Sequence, residues 1–200
     1  MELRQLKDFS DSCVDVFSHR WKLFVGFNLL FFGCILVTLV VATLVSAQQW
    51  YFTRESSRNW FLDGGWSYTL LIIIGANLQV SSLQVILPGV LFFPLSIVNP
   101  VYTAMTIGLM MYFAQSAQFF MILPTVILEG EAIVLSAMAG TLIGASWLVP
   151  KRLYGPEGPS RTDALIQGCE EAVRVLAVAI IVFIISAAVE TLTIYVVTSA

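Results

Sequence analysis

Three acids, Glu129, Glu131 and Glu190, lie inside long apolar stretches of this sequence, with no lysine or arginine at a comparable depth. An unpaired carboxylate in hydrocarbon takes up a proton or finds water, a cation or a hydrogen-bond donor. Glu129 and Glu190 therefore predict an intramembrane proton or cation site. The alternative is that both acids are protonated or hydrogen-bonded groups that only pack helices together.

Amides and small residues accompany these acids at helical spacing. Asn77, Ser81 and Gln84 fall within a narrow angular range, which predicts interhelical hydrogen bonds or a polar path. Glu131 points nearly opposite to Glu129 and is expected near the membrane end, within reach of water. The face of Glu129 continues as a seam of small residues that predicts close helix packing, namely Ser136, Gly140 and Gly144.

The usual signs of an enzyme are missing from the sequence. It has no nucleophile and base pair, phosphate loop, Gly-x-Ser-x-Gly motif or metal-ligand cluster, and His19 is the sole histidine. Its three cysteines lack CxxC spacing, so they predict neither a zinc site nor a disulfide framework. The net charge of -3 is small and scattered, which argues against nucleic acid. We expect a non-enzymatic protein without metal or cofactor.

The amino-acid composition indicates that these residues lie in a membrane. Of 200 residues, 58% are hydrophobic and 12% charged, against roughly 45–50% and 25% in soluble domains. The apolar runs have membrane-spanning length. They predict an all-α, polytopic transmembrane bundle in residues 23–199 with five helices, near 23–46, 68–93, 100–115, 119–149 and 162–197.

Prolines interrupt the second of these helices. One alternative is that it continues to about Phe93 with a kink at Pro88; the other is that residues 87–99 form a re-entrant stretch packed against protein or a wet cavity. Asn99 and Pro100 suit the N-cap and first position of the third helix. Ser160 and Asp163 resemble a capping box that starts the last helix.

Residues 1–22 predict an amphipathic helix, on the inner membrane surface or against the bundle. Its apolar face comprises Leu3, Leu6, Phe9, Cys13, Phe17 and Trp21. Basic residues cluster before the first crossing and after the fourth, which places the amino terminus in the cytoplasm and the carboxyl terminus outside. Arg174 is expected to snorkel or to pair with Glu170 or Glu171.

At these residues the chain resembles the stage II sporulation protein M family over roughly residues 77–190. The positions of the family's motifs correspond here to Asn77, Asn99 with Gly108, Pro124 with Glu129 and Ala132, Gly140 with Gly144, and Ala187-Ala188-Val189-Glu190. Thr125 and Val126 replace the family's His-Gly pair, and Pro100 stands where glycine is usual. The resemblance implies a five-helix membrane protein and adds Asn99 to the polar site.

Two functions remain open at this point. The resemblance implies a scaffold that localises envelope proteins, so we expect a cell-membrane scaffold with membrane lipids and either a second copy or envelope proteins as partners. The alternative is a transporter or channel component whose polar site comprises Asn77, Ser81, Gln84, Asn99, Glu129 and Glu190.

Overall fold

The computed structural model describes residues 2–45, 65–80, 85–113 and 116–199. The regular elements of these ranges are α1 (Glu2–Leu44), α2 (Gly65–Gln79), α3 (Leu87–Leu91), a 3₁₀ turn (Phe93–Ile97), α4 (Val98–Phe113), α5 (Ser116–Leu148), α6 (Pro150–Tyr154) and α7 (Arg161–Ser199). Four stretches of the described chain are long and apolar enough to cross a membrane: Lys7–Leu44, Phe93–Phe113, Phe119–Leu148 and Arg161–Val196. The all-helical, membrane-spanning fold class is confirmed, and the count of five crossings stays a prediction.

The first helix contains a kink near the predicted boundary at residue 22. α1 consists of two helical segments that meet at Arg20 (φ -106°, ψ 16°), and the division into a surface helix and a crossing stays a prediction. The helix continues because neither proline nor glycine occurs between Glu2 and Val25. The change of direction is confined to one residue.

The buried stripe of the amino-terminal half of α1 also differs from the predicted face. Cys13 and Val16 are buried, whereas Phe9 and Trp21 are 44% and 54% exposed. The side chains of Leu3 and Leu6 lie outside the described ones. The stripe extends one turn beyond Val16 to Arg20. Arg20 can lie on this side of the helix because an acid of α7 binds its guanidinium.

The centre of the bundle is α5, which packs most extensively against α7 and also contacts α1, α3, α4 and α6. Every residue from 132 to 142 is buried. This stretch is apolar or small on all sides, as expected for a helix enclosed by other helices. α5 and α7 run antiparallel, since Gly168 approaches Ser146 near the α6 end and Glu129 interacts with Glu190 further along.

The proline-broken stretch packs against α5. Residues 85–86 are π-helical, α3 follows with Pro88 in its first turn, and Phe92 is extended (φ -150°, ψ 102°) before the 3₁₀ turn. Trp147 of α5 donates its Nε1–H to the carbonyl of Val90 at 2.9 Å. The hydroxyls of Ser96 and Thr141 lie 2.5 Å apart. One side of the interrupted stretch is thus packed against α5, while Leu91 and Phe92 are exposed.

Two glycines allow this close approach. A Cβ atom at Gly140 would lie 3.1 Å from the carbonyl oxygen of Ile86, and one at Gly144 would collide with the carbonyl oxygen of Gly89. The seam that contains Ser136, Gly140 and Gly144 therefore meets α3 along two of its positions. Ser136 itself is buried and donates its hydroxyl to the carbonyl of Ala132 at 2.8 Å.

Two helix starts can be compared with their predicted caps. The N-cap prediction at Asn99 is wrong, because Val98 is already helical (φ -62°, ψ -50°) and the 3₁₀ turn leads directly into α4. At α7, the Ser160 hydroxyl accepts a hydrogen bond from the Asp163 N–H at 3.3 Å and donates to its carboxylate at 2.6 Å. Ser160 therefore caps α7.

Candidate functional site

Glu129 of α5 and Glu190 of α7 lie on the two helices of the central pair. They are close enough for their charges to influence each other, and both side chains are half-buried. Within the described part of the chain, neither carboxyl receives a hydrogen bond, and the three ion pairs found there involve other acids. The structure therefore brings together the two acids of the predicted intramembrane site, with no protein cation between them.

Glu131 belongs to a different interface. Its carboxyl lies close to the side chain of Asn28 in α1, and the Asn28 amide donates to the carbonyl of Phe24 at 3.2 Å. Glu131 lies near the middle of α5 (Ser116–Leu148) on the side of α1, and its distance from the membrane end stays a prediction. Glu129 and Glu131 are two positions apart, and only Glu131 has a polar side chain of α1 beside it.

The predicted amides are not all gathered at these acids. Asn77 lies on α2, which packs against α7, and its Nδ2 is buried without a hydrogen-bond partner. The Nδ2 of Asn99 is also buried and unpartnered. However, Asn99 follows Ser96, which contacts Thr141, and about 18 Å of α5 separates Thr141 from Glu129. Asn99 is thus placed apart from the acids, and Ser81 and Gln84 lie outside the described residues.

Two hydroxyls that the sequence analysis did not single out flank the acid pair. Thr125 precedes Glu129 by one turn of α5, and Ser186 precedes Glu190 by one turn of α7. Thr125 is 8% exposed and Ser186 is fully buried, and neither hydroxyl has a hydrogen-bond partner in the structure. Their i, i+4 spacing from each acid is the signal that could have found them.

A second polar constellation lies at the α6 end of the bundle. Arg20, at the kink of α1, forms a two-pronged ion pair with Glu171 of α7, with nitrogen to oxygen distances of 2.8 and 3.0 Å. Its third donor reaches the carbonyl of Leu153 at 3.0 Å. The guanidinium also lies 5.0 Å from the ring centroid of Tyr154 in α6. Three chain segments that are distant in sequence are thereby joined at one side chain.

These groups border a cavity of about 700 Å³, which we name the α6 cleft. Its walls are mainly charged or polar and comprise Asp15, Val16, His19, Arg20, Leu153, Tyr154, Asp163, Ile166, Gln167, Glu170, Glu171 and Arg174. Burial, with the negative charge of Glu171, raises the pKa of Tyr154 from 10.0 to about 12, and Arg20 opposes part of this effect. The tyrosine is therefore a neutral group at physiological pH.

Sequence reasoning missed the central contact of the α6 cleft. It expected Arg174 to pair with Glu170 or Glu171, and Arg174 does lie 3.8 Å from Glu170 in a partly exposed ion pair. Glu171 instead binds Arg20, whose side chain is only 16% exposed. The available signal was the spacing of Arg20, four residues after Val16 on the buried stripe, where a charge needs a partner.

The all-helical bundle with several apolar spans defines a multi-pass membrane protein. The model of one family, described as stage II sporulation protein M, matches residues 25–193, and the chain belongs to this family. No curated protein and no solved structure matches the chain. The matched range includes Glu129, Glu171 and Glu190 and begins after Arg20.

Proposed function

We propose that this protein is a non-enzymatic scaffold that localises a membrane or envelope complex through the α6 cleft. The observation that carries the proposal is the cleft itself: a charged surface built from α1, α6 and α7 around the buried pair of Arg20 and Glu171. A polar recess whose central ion pair joins three segments of the chain suits the recognition of another protein, because groups that are already positioned lose less order when a partner binds. Its partners are membrane lipids and membrane or envelope proteins, with or without a second copy of the chain, and nucleic acid is not among them.

The proposal includes five membrane crossings with the amino terminus in the cytoplasm and the carboxyl terminus outside. The second crossing consists of α2 and α3, with residues 81–84 between them. Its support is that α3 follows α5 towards Leu148 and that the chain reverses after Phe92 into α4. With this count, the basic clusters before the first crossing and around Lys151 and Arg152 fall on the same, cytoplasmic side.

The first test is purification of the tagged full chain from native membranes in mild detergent, with the intact assembly weighed and its components identified. We expect a stoichiometric membrane or envelope protein with the wild-type chain. Asp15→Asn combined with Glu170→Gln changes two walls of the α6 cleft and should release it. Asp8→Asn combined with Asp11→Asn is the matched control, because these acids are exposed on the same helix outside the cleft.

Two results would contradict the scaffold. One is a bare homo-oligomer from native membranes, and the other is a partner held equally by the cleft variant and the control variant. The chain in the first case would act without the proposed protein partner, and in the second it would bind that partner elsewhere.

A second candidate, a transporter or channel component, is favoured by the acids at the α5–α7 contact. Intramembrane acids without a protein cation mark ion and proton paths in many membrane proteins. Flux of protons or small cations in proteoliposomes should then be abolished by Glu129→Gln and retained by Glu131→Gln, whose acid faces α1. An ATPase chain in the purified assembly would identify the membrane subunit of a larger transporter, and flux that is indifferent to Glu129→Gln would remove that acid from the path.

A further inference from the structure

The contact between α5 and α7 carries four oxygen-bearing side chains over a short length of the bundle. Glu129 and Glu190 interact across it. Thr125 lies one turn from Glu129 on the same face of α5, and Ser186 lies one turn from Glu190 on the same face of α7. The four side chains therefore line a single interface.

The polar groups of this interface lack the partners that buried groups normally have. Buried hydroxyls are almost always hydrogen-bonded, yet the hydroxyls of Thr125 and Ser186 have no partner. Neither carboxyl forms an ion pair in the described chain. Two other titratable groups follow the acids along their helices: Glu131, two residues after Glu129 and close to Asn28 of α1, and Tyr195, five residues after Glu190. The described parts of α2 and α4 contain no charged residue.

Two nearby carboxylates favour a positive charge at this place, because in a medium of low dielectric constant they cannot both remain ionised without compensation. Two carboxyls and two hydroxyls are hard oxygen ligands, which suit a small cation that prefers oxygen. A single proton or Na⁺ ion removes most of the repulsion and leaves one negative charge on the pair, towards which the two hydroxyls can donate hydrogen bonds.

We propose that Glu129 and Glu190, flanked by Thr125 and Ser186, form an intramembrane binding site for one monovalent cation, either a proton or Na⁺. This inference goes beyond the scaffold function and does not depend on it, because a cation can be held here without being transported. The site also differs from the α6 cleft in its residues, its position along α5 and its ligand chemistry.

The test uses a hydrophobic carbodiimide, dicyclohexylcarbodiimide, which forms a stable adduct with a protonated carboxyl in apolar surroundings. The full chain in detergent or in liposomes is treated at neutral pH in choline chloride, and the adduct is mapped by mass spectrometry. We expect modification at Glu129 or Glu190. Replacement of choline by Na⁺ at constant ionic strength distinguishes the two ions: protection identifies a Na⁺ site, and unchanged labelling identifies a site for a proton alone.

Variants separate this site from a general reaction with membrane acids. The combined substitution Glu129→Gln and Glu190→Gln should abolish the adduct, whereas Glu131→Gln should leave it unchanged because that acid faces α1. In Glu190→Gln alone the adduct should lie at Glu129 and any protection by Na⁺ should be lost, since the remaining neutral carboxyl no longer attracts the ion. In a Na⁺ site, Ser186→Ala should raise the Na⁺ concentration for half protection roughly tenfold.

The outcomes that overturn the proposal are concrete. One is the absence of an adduct at both Glu129 and Glu190 in choline chloride. Another is labelling that persists in the double variant or falls in Glu131→Gln. Each variant is first shown to elute as a monodisperse species like the wild type, and where the double variant fails this control, the two single variants carry the test through the position of the adduct. Because partner capture is measured separately, failure of this site leaves the scaffold proposal standing, and the reverse also holds.

Discussion

Two pairs of side chains show how differently this bundle treats buried carboxylates. At the α6 end, Glu171 accepts two hydrogen bonds from Arg20 and one from Gln167 at 3.3 Å. At the contact of α5 with α7, Glu129 and Glu190 influence each other electrostatically, and neither accepts a hydrogen bond from the described chain. A carboxylate that accepts several hydrogen bonds from neighbouring helices holds those helices together. One whose lone pairs are free has the capacity to bind a proton or an ion.

The sharpest way to break this comparison is to remove Arg20. Arg20→Ala leaves Glu171 buried and unpaired, so we expect a loss of about 3–5 kcal/mol in the free energy of unfolding. Arg174→Ala is the matched control: its partner Glu170 is 61% exposed and 3.8 Å away, so its loss should stay below about 1 kcal/mol. Reversible unfolding in mixed micelles measures both. Equal losses would show that the Arg20 pair is no more than a surface ion pair.

The next largest effect on stability is expected at the contact between α3 and α5, which lies along α5 between the two regions compared above. Gly144→Ala places a methyl group against the carbonyl of Gly89, so we expect a loss of about 1–3 kcal/mol. Gly33→Ala has open space around its Cβ and should raise stability by up to about 1 kcal/mol through helix propensity. The opposite signs are the diagnostic feature. A loss from both substitutions would contradict the close packing of α3.

The comparison of the acids is sharpened by removing their charges. Glu171→Gln should cost several times more stability than Glu190→Gln, because of these two acids only Glu171 is paired with a cationic side chain, that of Arg20. For Glu190→Gln we expect a change within about 1 kcal/mol, since an amide of the same shape replaces a group without hydrogen bonds. The same unfolding measurement applies. Similar losses for both variants would mean that Glu190 has a structural partner after all.

The smallest effect concerns the pH dependence of the α6 cleft. The pKa of Tyr154 is raised from 10.0 to about 12, so the folded state holds this proton more tightly than the unfolded state. Its stabilising contribution is complete below pH 10.0 and is lost as the pH rises towards about 12. The stability advantage of the wild type over Tyr154→Phe should therefore shrink across this window. Tyr102→Phe, which alters an exposed tyrosine of α4, is the control, and a constant difference would contradict the raised pKa.

Much of the fold could be predicted because the membrane restricts the choices. A run of apolar residues of spanning length has to satisfy its backbone within a helix, so the crossings near 23–46, 119–149 and 162–197 were visible in the sequence. Ser160 was recognisable as a cap because its partner, Asp163, is three residues away. The cap at Asn99 failed because a preceding 3₁₀ turn, which local sequence did not indicate, already supplies helical geometry at Val98.

The candidate sites divide in the same way. Glu129 and Glu190 could be selected one by one, because an acid in an apolar run is unusual on any helix. Their meeting, their separation from Asn99 and the hydroxyls of Thr125 and Ser186 depend on how α5 and α7 are staggered. The pair of Arg20 and Glu171 lay beyond local reasoning because 151 positions separate its members.

The sequence by itself determined the class of protein, the positions of most helices and which side chains would be costly to bury. These properties follow from composition and from contacts within a few residues, since a helix in lipid satisfies its own backbone. Only the tertiary structure decided which of the side chains that are costly to bury receives a partner. Partnership depends on the stagger and orientation of helices far apart in the chain. Here that geometry pairs Arg20 with Glu171 and leaves Glu129 and Glu190 near each other without a cationic side chain from the described residues.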